Sequence, residues 1–297
     1  MGNGLMSQAR SIGVARPQRL DATGVRIPER TLTLLRDLVN AHTGMSYEGE
    51  RLEYLRDRLS PLALERGFDS LLDYYYLLKY DGTAAEEWPR VIDALSVQET
   101  YFWREVDQVQ ALTRRILPSL VAAGRRSVRI WSVPCATGEE PLSIAMALEE
   151  DGWFNRLGIE IYASDASEAA LRKAEGGRYG PRAFRQLPQP LWEKYFDPVA
   201  TNTWAVKPAL KARISLWNRV NVVQPQEVAM LAAADVIFCR NLFIYFNETT
   251  VRAVAEQFAD CMRTPGFLCV GAAESLLRVT TRFELQDIGG AYVYVRS

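Results

Sequence analysis

Apolar positions in the first third of the chain recur at helical spacing. Leu32, Leu35 and Val39 share one face, and Gly44 supplies a stop. Leu52, Leu55, Leu59 and Leu62 form the stripe of a second helix over residues 50–65, with Pro61 placed to kink or divide it. Asp69 or Ser70 can cap a third helix, rich in Leu and Tyr, over residues 71–80. Thr83-Ala84-Ala85-Glu86 has capping-box spacing for a fourth helix reaching Leu95, with Pro89 a second kink point. Together these predict an all-helical domain over residues 27–95. Residues 1–26 show no periodicity and many Gly, Ser, Gln and Arg, the pattern of a mobile tail.

Residues 96–127 read as a linker and a connecting helix. The run Tyr101-Phe102-Trp103, flanked by polar groups, fits neither the helical nor the strand period. A segment of that kind packs one ring inward and points polar groups into a cleft. The helix that follows carries Val109, Leu112, Ile116 and Leu120 on one face.

From residue 128 to 297 the pattern changes to short apolar runs alternating with amphipathic stretches. Strands are predicted at 128–133, 159–163, 235–239 and 267–271, and helices at 141–150, 168–175 and 248–262. Two further strands lie between Phe283 and the Tyr292-Val293-Tyr294-Val295 run, antiparallel at a sheet edge. The fold class is α/β: a mostly parallel, Rossmann-like sheet with helices on both faces. The alternation lapses over about residues 178–217, where Pro181, Pro188, Pro190, Pro198 and Pro208 punctuate the chain. Short strands at Thr203-Trp204-Ala205-Val206 and Ile214-Ser215-Leu216-Trp217 make this a small β insert. Segments inserted at a ligand edge commonly set substrate choice.

Composition removes several function classes. The chain has 297 residues, 48% hydrophobic, enough for a sizeable core. Lys+Arg total 35 against 36 Asp+Glu, a net charge of -1, so no basic excess draws nucleic acid. The four cysteines have no CxxC spacing and His42 is the sole histidine, so no metal centre and no Ser–His or Cys–His engine is expected. No apolar run reaches the ~18 residues of a membrane span, and the N-terminus lacks a signal-peptide core. A cytoplasmic protein with no direct membrane insertion is the expectation.

The candidate chemistry starts at Trp131-Ser132-Val133-Pro134-Cys135-Ala136-Thr137-Gly138-Glu139-Glu140-Pro141. A strand, a small-residue turn and a helix with Pro in its first turn present backbone N–H groups at the C-terminal edge of a parallel sheet. Two carboxylates in that turn argue against a phosphate ligand and suit an ammonium group or hydroxyl donors. Asp165, just beyond the next strand, is placed to accept from both hydroxyls of a ribose. Acids for an ammonium and for a ribose describe an amino-acid-bearing nucleoside, S-adenosylmethionine. A third cluster, Cys239-Arg240-Asn241-Leu242-Phe243-Ile244-Tyr245-Phe246, runs from a buried strand into an Arg-Asn turn. It puts Asn241 at the cleft and the Tyr245 hydroxyl within reach of a substrate. Arg51 and Arg58 share one side of the second helix. They form either a solvated face balanced by Glu50, Glu53 and Asp57 or a contact surface for an acidic partner helix.

These stretches resemble the chemotaxis receptor methyltransferase (CheR) family. The matching pieces are Thr100-Tyr101-Phe102-Trp103-Arg104-Glu105, residues 135–147, Ala163-Ser164-Asp165 with the helix up to Gly177-Arg178-Tyr179, and residues 238–246. The resemblance implies a helical N-terminal domain followed by a class I S-adenosylmethionine-dependent methyltransferase domain with a β insert. It implies methyl transfer to glutamate side chains of chemoreceptors, leaving S-adenosylhomocysteine, with the receptor's cytoplasmic helical domain as partner. Its cofactor contacts fall on Gln98, Thr100, Arg104, Glu140, Asp165, Asn221, Val222, Cys239, Arg240 and Asn241, and its catalytic pair on Arg104 and Tyr245. Two departures stand out. Gln98 replaces the Asn of many relatives, and the insert lacks the glycine-rich turn near Pro198–Asn202 with which some relatives grip a receptor's C-terminal peptide. The second departure speaks against docking through that peptide tether. Two rival readings are a methyltransferase-like module that binds the cofactor or its product without turnover, and a nicotinamide-dependent oxidoreductase. Retention of Arg104 and Tyr245 argues against the first, and the missing Gly-x-Gly-x-x-Gly turn against the second.

Overall fold

The computed structural model describes residues 19–20, 26–27 and 30–297. The tail expected over residues 1–26 lies outside the described residues, except that Arg19–Leu20 pairs with Arg26–Ile27 in an antiparallel ladder. Four helices follow: α1 (Thr31–Thr43), α2 (Arg51–Glu65), α3 (Leu71–Tyr80) and α4 (Ala84–Leu95). Their stripes meet in a core of Leu35, Val39, Leu55, Leu59, Leu71, Tyr74, Val91 and Leu95. Gly44 ends α1 in a left-handed conformation, and its N–H donates to the Asn40 carbonyl.

Local details depart from the expectation in two places. Pro61 does not divide α2, and α4 likewise runs on through Pro89. Buried neighbours on either side, Leu59 and Ala63 in α2 and Trp88 and Val91 in α4, hold the helix where one ladder bond is missing. Ser70 caps α3 by accepting from the Leu72 N–H, whereas the capping box at Thr83 does not form. Asp81 takes that place: its carboxylate accepts from the Thr83 N–H and hydroxyl, both at 2.8 Å.

The connecting helix runs Val106–Ala111, passes through a π turn at Leu112–Ile116 and continues as Leu117–Ala122. It leads into a seven-stranded sheet. The strands are β1 (Ser127–Ser132), β2 (Gly158–Asp165), β3 (Ile214–Arg219), β4 (Val236–Phe238), β5 (Gly266–Cys269), β6 (Glu284–Ile288) and β7 (Ala291–Arg296). The spatial order is β6-β7-β5-β4-β1-β2-β3. β1 to β5 are parallel, and β6 and β7 form the antiparallel edge. Helices α5 (Glu139–Glu150), α6 (Glu168–Gly176) and α7 (Glu248–Cys261) follow β1, β2 and β4. Chain order reverses between β1 and β4. That is the switch point at which open α/β sheets form a crevice beyond their strand ends.

The stretch beginning at Ile214, expected within the insert, is instead the edge strand of the central sheet, parallel to β2. Only Ile214 of this strand is buried, so the edge carries none of the continuous apolar pattern that marks the inner strands. The insert proper is a three-stranded antiparallel sheet of Arg178–Tyr179, Phe196–Ala200 and Thr203–Val206. Phe102 is its keystone. Fully buried, its ring packs edge-on against Tyr179 at 4.8 Å and Phe196 at 4.9 Å, as the odd aromatic run predicted. Among the described residues no helix is long and apolar enough to cross a membrane.

Candidate active site

The site grows from the tip of β1. Beyond Ser132 the chain turns through Ala136, with φ 46°, and Gly138, with φ 97°, into α5. A side chain at Gly138 would stand 3.0 Å from both the Tyr179 hydroxyl and the Ala174 side chain, so this turn requires glycine. Asp165 ends β2 and staples that turn. One of its oxygens accepts from the Ala136 N–H at 2.9 Å and the other from the Ser167 N–H at 2.8 Å. Burial pushes its carboxyl up to about 6, against the pull of those N–H groups. Each carboxylate oxygen still has a lone pair free for a ligand.

Glu140 sits one turn away, at the start of α5. Ser132 donates to it at 2.7 Å, and Arg240 stands 3.3 Å off. Burial raises its carboxyl above the usual range, and the Arg240 charge opposes the rise. Arg240 itself is only 2% exposed. Its guanidinium donates to the Arg104 carbonyl at 2.8 Å and pairs with Glu105 at 3.2 Å, yet its Nε has no protein partner. A buried guanidinium N–H without an acceptor calls for a ligand acceptor. Arg104 is flanked by two left-handed residues, Trp103 at φ 69° and Glu105 at φ 47°. The Trp103 N–H donates to the Ser143 hydroxyl at 3.1 Å, which ties this unusual backbone to α5.

Two cavities lie end to end over these groups. The larger, about 720 Å³, is walled by Val133, Val220, Val222, Leu242 and Phe246, with Asp165 on one side. The smaller, about 530 Å³, is lined by Thr100, Arg104, Glu140, Ser143 and Arg240. They share Val97, Pro134, Ala136 and Asn241. An apolar slot beside a carboxylate suits a base and its ribose. The adjoining polar chamber, with one acid and one unsatisfied base, suits an ammonium and a carboxylate. The residues fit S-adenosylmethionine.

The helical domain closes the top. The Ser46 N–H donates to the Tyr245 carbonyl at 2.8 Å, and Met45 bridges to Phe246. Asp93 accepts from the Ser167 hydroxyl at 2.7 Å and from the Ala169 N–H at 3.2 Å.

Most of the sequence-predicted residues meet here. Thr100, Arg104, Glu140 and Arg240 line the polar chamber, and Asp165, Val222 and Tyr245 the apolar slot. Asn241 lines both. Gln98 reaches the slot but its carbonyl oxygen is held by Lys173 at 2.9 Å. Asn221 lines the slot while its amide donates to the His42 carbonyl at 2.7 Å. Cys239 lines neither cavity: it is fully buried, and its N–H donates to the Cys269 carbonyl within the sheet. Tyr245 also borders a third groove, with Tyr47, Arg51 and Tyr54. Sequence reasoning missed Thr43, Met45 and Ile92, which line the slot from the helical domain, and Glu274 behind the Arg240-Asn241 turn. Residues brought to the slot by the packing of one domain on the other leave no local sequence signal. Among the described residues no cluster of potential metal ligands occurs.

Comparison with known proteins matches both halves of the chain. Residues 30–96 match the CheR methyltransferase all-alpha domain, and residues 98–290 the CheR methyltransferase SAM binding domain. Chemotaxis protein methyltransferase 2 of Vibrio cholerae is 34% identical over 254 residues, covering 84% of this chain and 87% of that one. Chemotaxis protein methyltransferase 1 of Pseudomonas aeruginosa is 30% identical over 253 residues, 83% of this chain and 90% of its own. The probable biofilm formation methyltransferase WspC of the same organism is 33% identical over 238 residues, 79% of this chain and 53% of its own.

Proposed function

The chain belongs to the CheR methyltransferase family, and on that premise we propose that it methylates glutamate side chains of chemoreceptors, leaving glutamyl methyl esters for adaptation of a chemosensory pathway. The observation that carries this reading is the paired cavity, with carboxylates at the tips of β1 and β2 and a roof made by the helical domain. S-adenosylmethionine supplies the activated methyl group. Asp165 accepts from the ribose hydroxyls, Glu140 meets the ammonium, and Arg240 Nε receives the cofactor carboxylate. Val222, Leu242 and Phe246 cover the base, while Gln98, Thr100, Asn221 and Asn241 line its path.

The acceptor needs no base, because a glutamate carboxylate is already ionised at neutral pH. The protein's task is then to position and desolvate it. Arg104 draws the carboxylate into the polar chamber. Burial pushes the Tyr245 phenol above its ordinary value, against the pull of Arg51 and Arg104, so it stays protonated and donates a hydrogen bond. Receptor docking falls to the surface around the third groove. The insert's hairpin turns through Thr201-Asn202 alone, between Ala200 and Thr203, which supports docking without a peptide grip.

The test is methyl transfer from labelled cofactor to receptor-bearing membranes, read as base-labile ester. Arg104→Ala is expected to lower the rate about a hundredfold. Full transfer by that variant removes Arg104 from the reaction. Cofactor binding with no ester formed by the parent chain marks a module without turnover.

A further inference from the structure

Glu274, in the loop after β5, lines neither cavity. One of its oxygens accepts from the Gly271 N–H at 2.6 Å and the Asn241 N–H at 2.8 Å, and the other from the Ile244 N–H at 3.3 Å. A single buried carboxylate thus gathers three backbone donors from two loops. Asn241 needs that support, since it holds a left-handed φ of 59°. Ile244 lies within the short 3-10 turn Phe243–Tyr245.

The packing is too close to be incidental. A side-chain carbon at Gly271 would stand 2.8 Å from Glu274 Oε2, 2.5 Å from the Asn241 amide nitrogen and 3.1 Å from the Asn241 backbone nitrogen. The same loop also reaches Glu105, whose carboxylate accepts from the Ala272 N–H at 3.2 Å. Three donors converging on one point form an anion nest. Here the chain fills it with its own carboxylate and thereby fixes the Arg240-Asn241 turn and the turn after it.

We propose that Glu274 is the positioning residue for Tyr245: by holding the backbone of Asn241 and Ile244, it sets the phenol at the depth and angle from which it meets the substrate carboxylate. This rests on the reading of Tyr245 as a substrate contact. Glu274 itself lines neither cavity; it acts through the turn. Its negative charge adds to the burial that keeps the Tyr245 phenol protonated.

A double-mutant cycle on the full chain tests this, with initial rates of receptor methylation and cofactor affinity by calorimetry. Glu274→Gln puts an amide N–H₂ where a backbone donor now finds an acceptor. It is expected to lower kcat about tenfold to a hundredfold, as a misplaced reacting group does, with KM for the receptor changed far less. In a Tyr245→Phe background the same substitution should change kcat by no more than about twofold, because residues acting as one unit are not additive. Glu274→Asp, one methylene shorter and still anionic, should recover part of the rate in the parent background, and it carries the same cycle if the amide variant does not fold. If Glu274 were merely structural, its loss would multiply with that of Tyr245; a fully additive cycle overturns the proposal. So does a Glu274→Gln enzyme at parental kcat while Tyr245→Phe is slow, and that result leaves Tyr245 in its role. A Tyr245→Phe enzyme as fast as the parent overturns the role of Tyr245 itself, and the positioning with it.

Discussion

Both edges of the central sheet bury carboxylates, and they close them differently. At the N-terminal edge Asp235, fully buried, lies 3.3 Å from Arg125 and 3.3 Å from Arg263, and accepts from the Arg129 N–H at 2.9 Å. Two cations balance that charge; the backbone donor and Arg263 bond to Oδ2, while Oδ1 has only the ion pair with Arg125, and Asp235 lines neither of the two cavities. At the C-terminal edge Asp165 is nearly as buried but faces no cation; backbone N–H groups hold it, and its remaining capacity opens into a cavity. Glu140 lies between the extremes, paired with an arginine that itself keeps a free donor. Burial therefore does not mark function. An acid left short of positive charge at the open end of a sheet does, because only there does the missing partner have a place to arrive.

The largest effect on stability expected from this contrast is at the closed edge. Asp235→Ala leaves Arg125 and Arg263 without their shared partner and the Arg129 N–H without its acceptor. Both arginines are about a third exposed and stay solvated, so the cost is mainly that of the unpaired Arg129 N–H and the emptied buried site, about 1–3 kcal/mol. The denaturation midpoint should fall accordingly, while cofactor affinity of the folded protein stays as it was. A loss of affinity without a loss of stability would reverse the assignment of the two edges.

Asp165→Ala should do the opposite. Cofactor affinity is expected to fall by about 1–3 kcal/mol, as for a lost buried acceptor. Stability at neutral pH should change less than in Asp235→Ala, because the charge that burial penalises goes with it. Unchanged affinity in calorimetry removes Asp165 from the site.

The raised carboxyl of Asp165 gives a smaller, pH-dependent effect. Its folded value, about 6, lies above the ordinary 3.8, so between those limits the folded state holds the proton more tightly than the unfolded chain. Its contribution to stability is therefore greatest in acid and declines as pH rises through that window. Binding runs the other way, since accepting from a diol favours the ionised form. From pH 7 down to pH 5 cofactor affinity should weaken by about tenfold, one pKa unit below the midpoint. Asp165→Asn should flatten that dependence; a slope that survives in the Asn variant belongs to another group, with Glu140 the next to test.

The same contrast shows what the sequence could and could not convey. Strand, turn, helix, strand and acid in series placed Asp165 and Glu140, because the chemistry sits in consecutive residues whose pattern fixes their geometry. The first two helices were legible from their apolar spacing, the third from its cap and Leu/Tyr run, and the fourth from capping-box spacing, although that box does not form. β3 was not, since an edge strand buried only at Ile214 carries no apolar run, and the insert was drawn too long as a result. Cys239 was placed with the turn it adjoins, although the structure keeps it inside the sheet, outside both cavities. Glu274 accepts from the backbone N–H of Asn241, and the backbone carbonyl of His42 accepts from the Asn221 side-chain amide; both pairs are far apart in sequence, and no local pattern encodes such a pairing.

The smallest effect separates two helix starts where a hydroxyl and a carboxylate compete for the same work. Both Ser70 and Thr83 stand one residue before a helix, and both have the right chemistry for a cap. Only Ser70 uses it, with the extended backbone of a true cap; Thr83 sits at φ -87° and ψ 0°, and Asp81 takes its N–H instead. Ser70→Ala should therefore cost about 1 kcal/mol in urea unfolding. Thr83→Ala should stay within about 0.5 kcal/mol, since its N–H keeps the Asp81 acceptor and only an exposed hydroxyl is lost. Equal costs for the two would mean that Thr83 caps α4 in solution, and that the carboxylate two residues earlier is a bystander. The same distinction divides Asp235 from Asp165: residue type and position nominate a group, and the partners already in place decide what is left for it to do.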